Sequence, residues 1–324
     1  NSGEGFLIYN NYFDRIDTIF FKEDNGLAKK GIIIEKEGPQ GIPSFNWFDS
    51  GKSGLIFYDR FTIRLKIGEE VKTVDLLGNS HFDGNNLKQI VNNFSFNQFS
   101  RFYSIEDNSS VLLVNDFFDD SYSIYLYGLH DCSIQKLNIE FDNDLLKKHT
   151  LFIKRNNAKI YWPNTPYLMR LRAGRYLFSY PFASKIHLYD GDSDSNSVLK
   201  VNTFAYPEEK YVPNIQNEGS AMNMEEIGKK WSDDVLFGPL YKLKSGGFLR
   251  VVKGPSQSNQ DIAIYLELFD DELAKINEFN LNKLTSDLDL FHLVQGDKVI
   301  FKAKGQESED VLKYYILNLK DVVH

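Results

Sequence analysis

The stretch Ile160-Tyr-Trp-Pro-Asn-Thr-Pro-Tyr-Leu-Met-Arg-Leu-Arg172 gathers residue types suited to holding a ligand. Tyr161, Trp162 and Tyr167 supply aromatic planes, and Arg170 and Arg172 supply guanidinium forks. Aromatic faces stack on sugar rings, and a guanidinium grips a carboxylate through two parallel hydrogen bonds. These five residues are therefore the candidate ligand site, and a uronate-bearing glycan is the chemistry they suit. The competing reading packs the aromatics between sheets and leaves the arginines at the surface.

The motifs of catalysis are incomplete. Gly51-Lys52-Ser53 has the ending of a phosphate-binding loop, but Asn46 stands where the first glycine is required and no helical pattern follows. With Gly54 the same residues misplace a glycine of the Gly-x-Ser-x-Gly elbow, and a strand follows rather than a helix. Asp190-Gly-Asp-Ser-Asp-Ser-Asn196 spaces its carboxylates as a calcium loop does, yet Ser195 and Val201 occupy the positions of the turn glycine and the bidentate glutamate. It reads as an acidic turn.

His81, His130, His149, His187, His292 and His324 show no metal-ligand spacing, and Cys132 is the single cysteine. Glycoside cleavage needs an acid and a base across the substrate, and Asp119-Asp120, Asp233-Asp234 and Asp270-Asp271 are the pairs available. Adjacent residues of a strand point to opposite faces, however, and such pairs favour turns. These readings assign no catalytic residue, no metal ligand and no cofactor.

The elements that must position these residues are strands. Of 324 residues, 42% are hydrophobic and 15% aromatic, from 26 Phe, 18 Tyr and 3 Trp, which favours strand over helix. One unit recurs six times: an apolar-aromatic strand, a tight polar turn and a second strand of alternating pattern. The copies are Gly5–Tyr12 with Arg15–Phe21, Gly54–Tyr58 with Thr62–Ile67, Ser110–Asn115 with Ser121–Tyr127, Gly174–Tyr180 with Lys185–Asp190, Gly246–Lys253 with Asp261–Asp270, and Lys298–Lys304 with Val311–Leu319. Further strands flank most copies. Phe248-Leu-Arg-Val-Val252 and Ile264-Tyr-Leu-Glu-Leu-Phe269 are apolar on both faces, as sheets stacked radially require.

The expected fold is all-β: one domain over residues 1–324, a six-bladed β-propeller of four-stranded antiparallel blades with short helices in long inter-blade loops. Ser220 is placed to cap a helix over Ala221–Trp231, and Leu87–Val91 suits a short helical turn. The long connections are 78–107, 141–172 and 204–235. Strand counting finds 22 of the 24 strands of a regular ring and puts the missing pair upstream of Asn1.

The formal net charge of −8 repels phosphate backbones and anionic lipid, so neither nucleic acid nor a peripheral membrane surface is an expected partner. No apolar run approaches the roughly 18 residues of a membrane span. The opening Asn1-Ser2-Gly3-Glu4-Gly5 has no Met, basic region or apolar run, as expected of a mature exported chain.

Ile34-Glu-Lys-Glu-Gly-Pro-Gln-Gly41, the hairpin Phe178–Asp190, and Phe237-Gly-Pro-Leu-Tyr241 followed by Phe248–Val252 carry a resemblance. Through them the chain resembles uncharacterised, TolB-like six-bladed propeller lipoproteins of the bacterial cell envelope, a domain family of unknown function. The resemblance implies a lipid anchor, which this chain lacks, as its only membrane attachment. It also implies a place in the cell envelope, periplasmic or outer-surface, and no catalytic residues.

The function expected is non-catalytic: recognition or scaffolding, with a glycan, peptide or envelope protein bound on the loop-bearing face. The alternative is a polysaccharide lyase or hydrolase, or a lactonase-like enzyme, with its residues drawn from several blades around an axial funnel. An enzyme funnel would gather perturbed carboxylates or histidines, whereas a binding face would expose aromatics.

Overall fold

The computed structural model describes residues 6–10, 12–21, 27–45, 47–51, 54–59, 62–75, 101–104, 110–115, 123–128, 133–149, 151–155, 158–162, 166–172, 174–212, 221–256, 262–305 and 313–321. The chain forms two compact units, Asn1–Leu137 and Asn138–His324.

In the first unit β1 (Phe6–Asn10), β2 (Arg15–Phe21) and β3 (Leu27–Ile33) make an antiparallel meander. Two four-stranded sheets follow. One is β4 (Trp47–Gly51), β5 (Gly54–Asp59), β6 (Thr62–Ile67) and β7 (Glu70–Asp75); the other is β8 (Arg101–Ser104), β9 (Ser110–Asn115), β10 (Ser123–Gly128) and β11 (Ile134–Leu137). Gly68, at φ +58°, opens the two-residue turn between β6 and β7, a conformation that residues with a Cβ resist.

The second unit begins with helix α1 (Asn143–His149) and a two-stranded ribbon, β12 (Leu151–Arg155) with β13 (Ala158–Trp162). A four-stranded sheet follows, of β14 (Tyr167–Arg172), β15 (Arg175–Tyr180), β16 (Ala183–Asp190) and β17 (Ser195–Leu199). After helix α2 (Ala221–Asp233) come β18 (Leu236–Lys242), β19 (Phe248–Lys253), β20 (Ile264–Phe269) and β21 (Lys275–Asn280), again in meander order. The last sheet is β22 (Leu288–Gln295), β23 (Lys298–Ala303) and β24 (Tyr314–Asn318).

Every residue of β19 and β20 is buried, because the β18–β21 sheet is covered on both faces. Leu249, Val251, Leu266 and Leu268 pack toward Val299 and Phe301 of β23. On the opposite face Phe248 and Phe269 pack with Leu177 and Ile186, while Val252 and Tyr265 pack with Tyr206 and Val235. Full burial of one such side chain contributes roughly 1.5–3 kcal/mol, so this pair of faces is the main store of stability in the unit.

One expectation needs correction. The all-β class holds and the six hairpins form, but six equal four-stranded blades do not. Four sheets have four strands, β1–β3 and β22–β24 have three, and β12–β13 stands apart as a ribbon. The architecture is a propeller of five blades with three or four strands each. One face of the β1–β3 sheet, with Leu7, Tyr9, Ile16 and Ile32, packs on Leu55 and Phe57. Its other face leaves Ile8 37% and Ile33 71% exposed, opposite the ion-paired Asp17 and Arg15.

The connection at 141–172, too long for a structureless linker, holds α1, the ribbon and β14. The expected helix after Ser220 is present and runs on to Asp233. Leu87–Val91 lies outside the described residues.

Candidate functional site

The five residues proposed from sequence belong to two strands of different sheets. Tyr161 and Trp162 end β13 of the ribbon, whereas Tyr167, Arg170 and Arg172 belong to β14 of the next sheet. Along β14, Tyr167 and Met169 share a face and Arg170 takes the other, opposite Tyr176. The Arg170 Nε donates to the Arg172 carbonyl at 3.2 Å, so the first guanidinium is turned along its own strand.

The acidic stretch folds as a turn. Asp190 accepts from the amides of Asp192 (3.1 Å) and Ser193 (3.4 Å) and pairs with Arg175, while Asp194 accepts from the Tyr189 hydroxyl at 2.9 Å. Asp270 and Asp271 are also turn formers, taking the amides of Glu272, Ala274 and Gly247. Among the described residues no group of three or more His, Cys, Asp or Glu side chains is arranged to hold a metal ion. His149 and His187 are buried and stack on Phe182 and Phe178 at 4.7 and 5.5 Å. Burial lowers both imidazoles to a pKa of about 4.

Chemistry gathers instead on β18–β21. Arg250, Glu267 and Glu278 lie directly opposite one another across β19, β20 and β21. The Arg250 Nε meets Glu267 Oε2 at 2.6 Å, and the Lys275 Nζ meets Glu267 Oε1 at 2.9 Å and also bonds Glu278. Arg250 and Glu267 are sealed from solvent. Burial pushes the Glu267 carboxyl up, but the Arg250 guanidinium and the Lys275 ammonium outweigh it and hold the group below its ordinary value. Phe237 and Phe269 place their rings 4.9 and 5.6 Å from the guanidinium carbon. The four charges sum to zero, so a low-dielectric environment is tolerable.

The chain reaches the surface through Lys275 and Glu278. The Lys275 Nζ donates to the Asn202 carbonyl at 3.0 Å, and the Glu278 carboxylate accepts from the amides of Ala205 (3.0 Å) and Phe204 (3.4 Å). Thr203 Oγ1 donates to the Tyr206 carbonyl at 2.6 Å and tightens the same bend. These bonds fix the segment 202–206 against β21. Phe204 is left 86% exposed, its ring 5.5 Å from the Lys275 ammonium.

Beside this segment a cleft of about 790 Å³ opens between the end of β17 and β21. Phe204 and Ile276, the latter 62% exposed, line it together with Tyr265 and Lys275. β21 is the last strand of its sheet, so alternate residues turn backbone N–H and C=O groups away from β20. The site can offer an aromatic face, an aliphatic contact and a row of backbone donors and acceptors. Arg250 and Glu267, with no exposed surface, brace it from behind.

Local motif search missed this site because its parts come from positions 202–205, 250, 267, 275 and 278. One signal was legible: an Arg and a Glu stand in the middle of two strands that are otherwise apolar on both faces.

Comparison with protein-family profiles and with curated sequences gives no match. Among solved structures, the luciferin-regenerating enzyme shares 8% identity at a TM-score of 0.41, covering 98% of this chain and 91% of its own. The WD40 domain of SCAP from fission yeast shares 8% at 0.35, covering 97% and 75%. The tricorn protease shares 8% at 0.39, and there the chain covers 93% of itself but only 24% of the protease.

Proposed function

We propose that this chain is a recognition module whose ligand is an extended peptide segment of a partner protein, held in the cleft between β17 and β21. The observation that carries the reading is the Phe204 ring, 86% exposed on a segment fixed by hydrogen bonds, at the mouth of a cleft walled by a strand edge that pairs with no further strand among the described residues. Exposed aromatics held rigid before binding are typical energetic centres of protein interfaces, since little conformational freedom is lost on contact. A cleft of about 790 Å³ lies within the range of small-ligand and peptide sites, roughly 300–1,000 Å³. A strand edge gives sequence-tolerant affinity through the backbone, and the side chains at the mouth give selection.

The test is selection of a random 12-residue phage-displayed library on the whole chain, followed by titration of the selected peptides. Phe204→Ala and Ile276→Asp lower affinity at least tenfold with unchanged circular dichroism and melting temperature, since both side chains are exposed. Selected peptides that bind the two variants like wild type contradict the proposal, and so does a library that yields no binder.

A further inference from the structure

We infer that Lys275 and Glu278 are positioning residues, which hold the segment 202–206 in the one conformation that presents Phe204 to the cleft; the inference rests on the reading of that cleft as a peptide site. The geometry is specific. Exposed segments bearing a free phenylalanine ordinarily fold the ring inward, because water-exposed apolar surface costs roughly 25 cal/mol per Å². Here the backbone is held by two charged side chains of β21. Glu278 takes the amides of residues 204 and 205, and Lys275 takes the carbonyl of residue 202.

Both side chains are almost covered, Lys275 at 10% and Glu278 at 7% exposure, so neither is a free surface charge. Lys275 is oriented by a group that water cannot reach, and in turn pairs with Glu278. Glu267 holds Lys275 at 2.9 Å, and Arg250 holds Glu267 at 2.6 Å. The anchored end of this charge network lies between Phe237 and Phe269, and its working end grips three backbone groups of one surface segment, at Asn202, Phe204 and Ala205. A carboxylate accepting two amides makes stronger bonds than a neutral acceptor, and burial strengthens them further. The arrangement therefore devotes three ion pairs to the orientation of one exposed ring. Apparent affinity scales with the fraction of molecules already in the binding conformation, so loosening this grip weakens binding with Phe204 still in place.

Amide hydrogen exchange and peptide titration on the whole chain test the inference. Glu278→Ala raises exchange at Phe204 and Ala205 about tenfold or more, with β19 and β20 unchanged, and lowers affinity for a library-selected peptide by a similar factor. Glu278→Gln, which keeps one acceptor oxygen and the same shape, recovers part of both effects and serves where the alanine variant folds poorly. Lys275→Met releases the same segment at Asn202. Unchanged exchange at residues 204 and 205 overturns the inference, as does faster exchange with unaltered affinity. Peptide binding by Phe204→Ala equal to wild type is a different failure, that of the cleft reading, and the inference falls with it.

Discussion

Glu267 and Arg250 show what a single residue can decide in this protein. Removing one partner leaves the other charged, desolvated and unpaired, so Glu267→Leu destabilises the chain by about 3–5 kcal/mol. Replacing both, Arg250→Met with Glu267→Leu, removes the stranded charge and leaves Lys275 paired with Glu278. The double variant then recovers most of the loss, which urea denaturation at neutral pH measures. A second residue sets the response to acid. Burial, against the pull of Asp142, lowers the His187 imidazole to about 4, whereas an unfolded histidine titrates near 6.5. Between these values the unfolded chain binds more protons, so stability is complete above pH 6.5 and falls as the pH drops toward 4. His187→Phe makes the dependence of melting temperature on pH shallower across that window, leaving the contribution of His149, which is lowered to about 4 as well. The Glu267 contribution fades in a separate, more acidic range, below its ordinary value of 4.5.

Among the elements, β21 has two jobs: it closes its sheet on one side, and its other edge walls the cleft. If a peptide adds to that edge, alternate peptide amides donate to β21 and the intervening ones face away. N-methylation of every second residue of a selected peptide therefore abolishes binding, and methylation of the other set leaves it intact. Equal loss from both sets, or from neither, shows that side chains alone carry the contact. The strands themselves were legible from sequence, because β19 and β20 read as apolar on both faces and are buried throughout. The ribbon β12–β13 was not: Lys154, Arg155 and Lys159 break the apolar pattern, and it belongs to no four-stranded repeat. The five residues expected to hold a glycan divide between two elements for a related reason. Closeness in sequence between Trp162 and Arg170 says nothing of the sheet boundary between them, and alternation along β14 sends Tyr167 and Arg170 to opposite faces.

Across the whole chain, the repeat of six hairpins fixed the all-β class, but the number of blades depends on which faces are covered. That is a long-range property, and counting hairpins gives six where the fold has five blades. The cleft was illegible for the same reason, since residues 202–205 and 275–278 meet only through tertiary packing. Arg250 and Glu267, two charges inside apolar strands, were the sequence's trace of the network behind it. The central claim is that this chain recognises a peptide at that cleft, and the most direct measurement is a crystal structure of the chain with a library-selected peptide. The account predicts an extended peptide beside β21 with a side chain against the Phe204 ring. A peptide seated anywhere else, with the β17–β21 cleft empty, would contradict it.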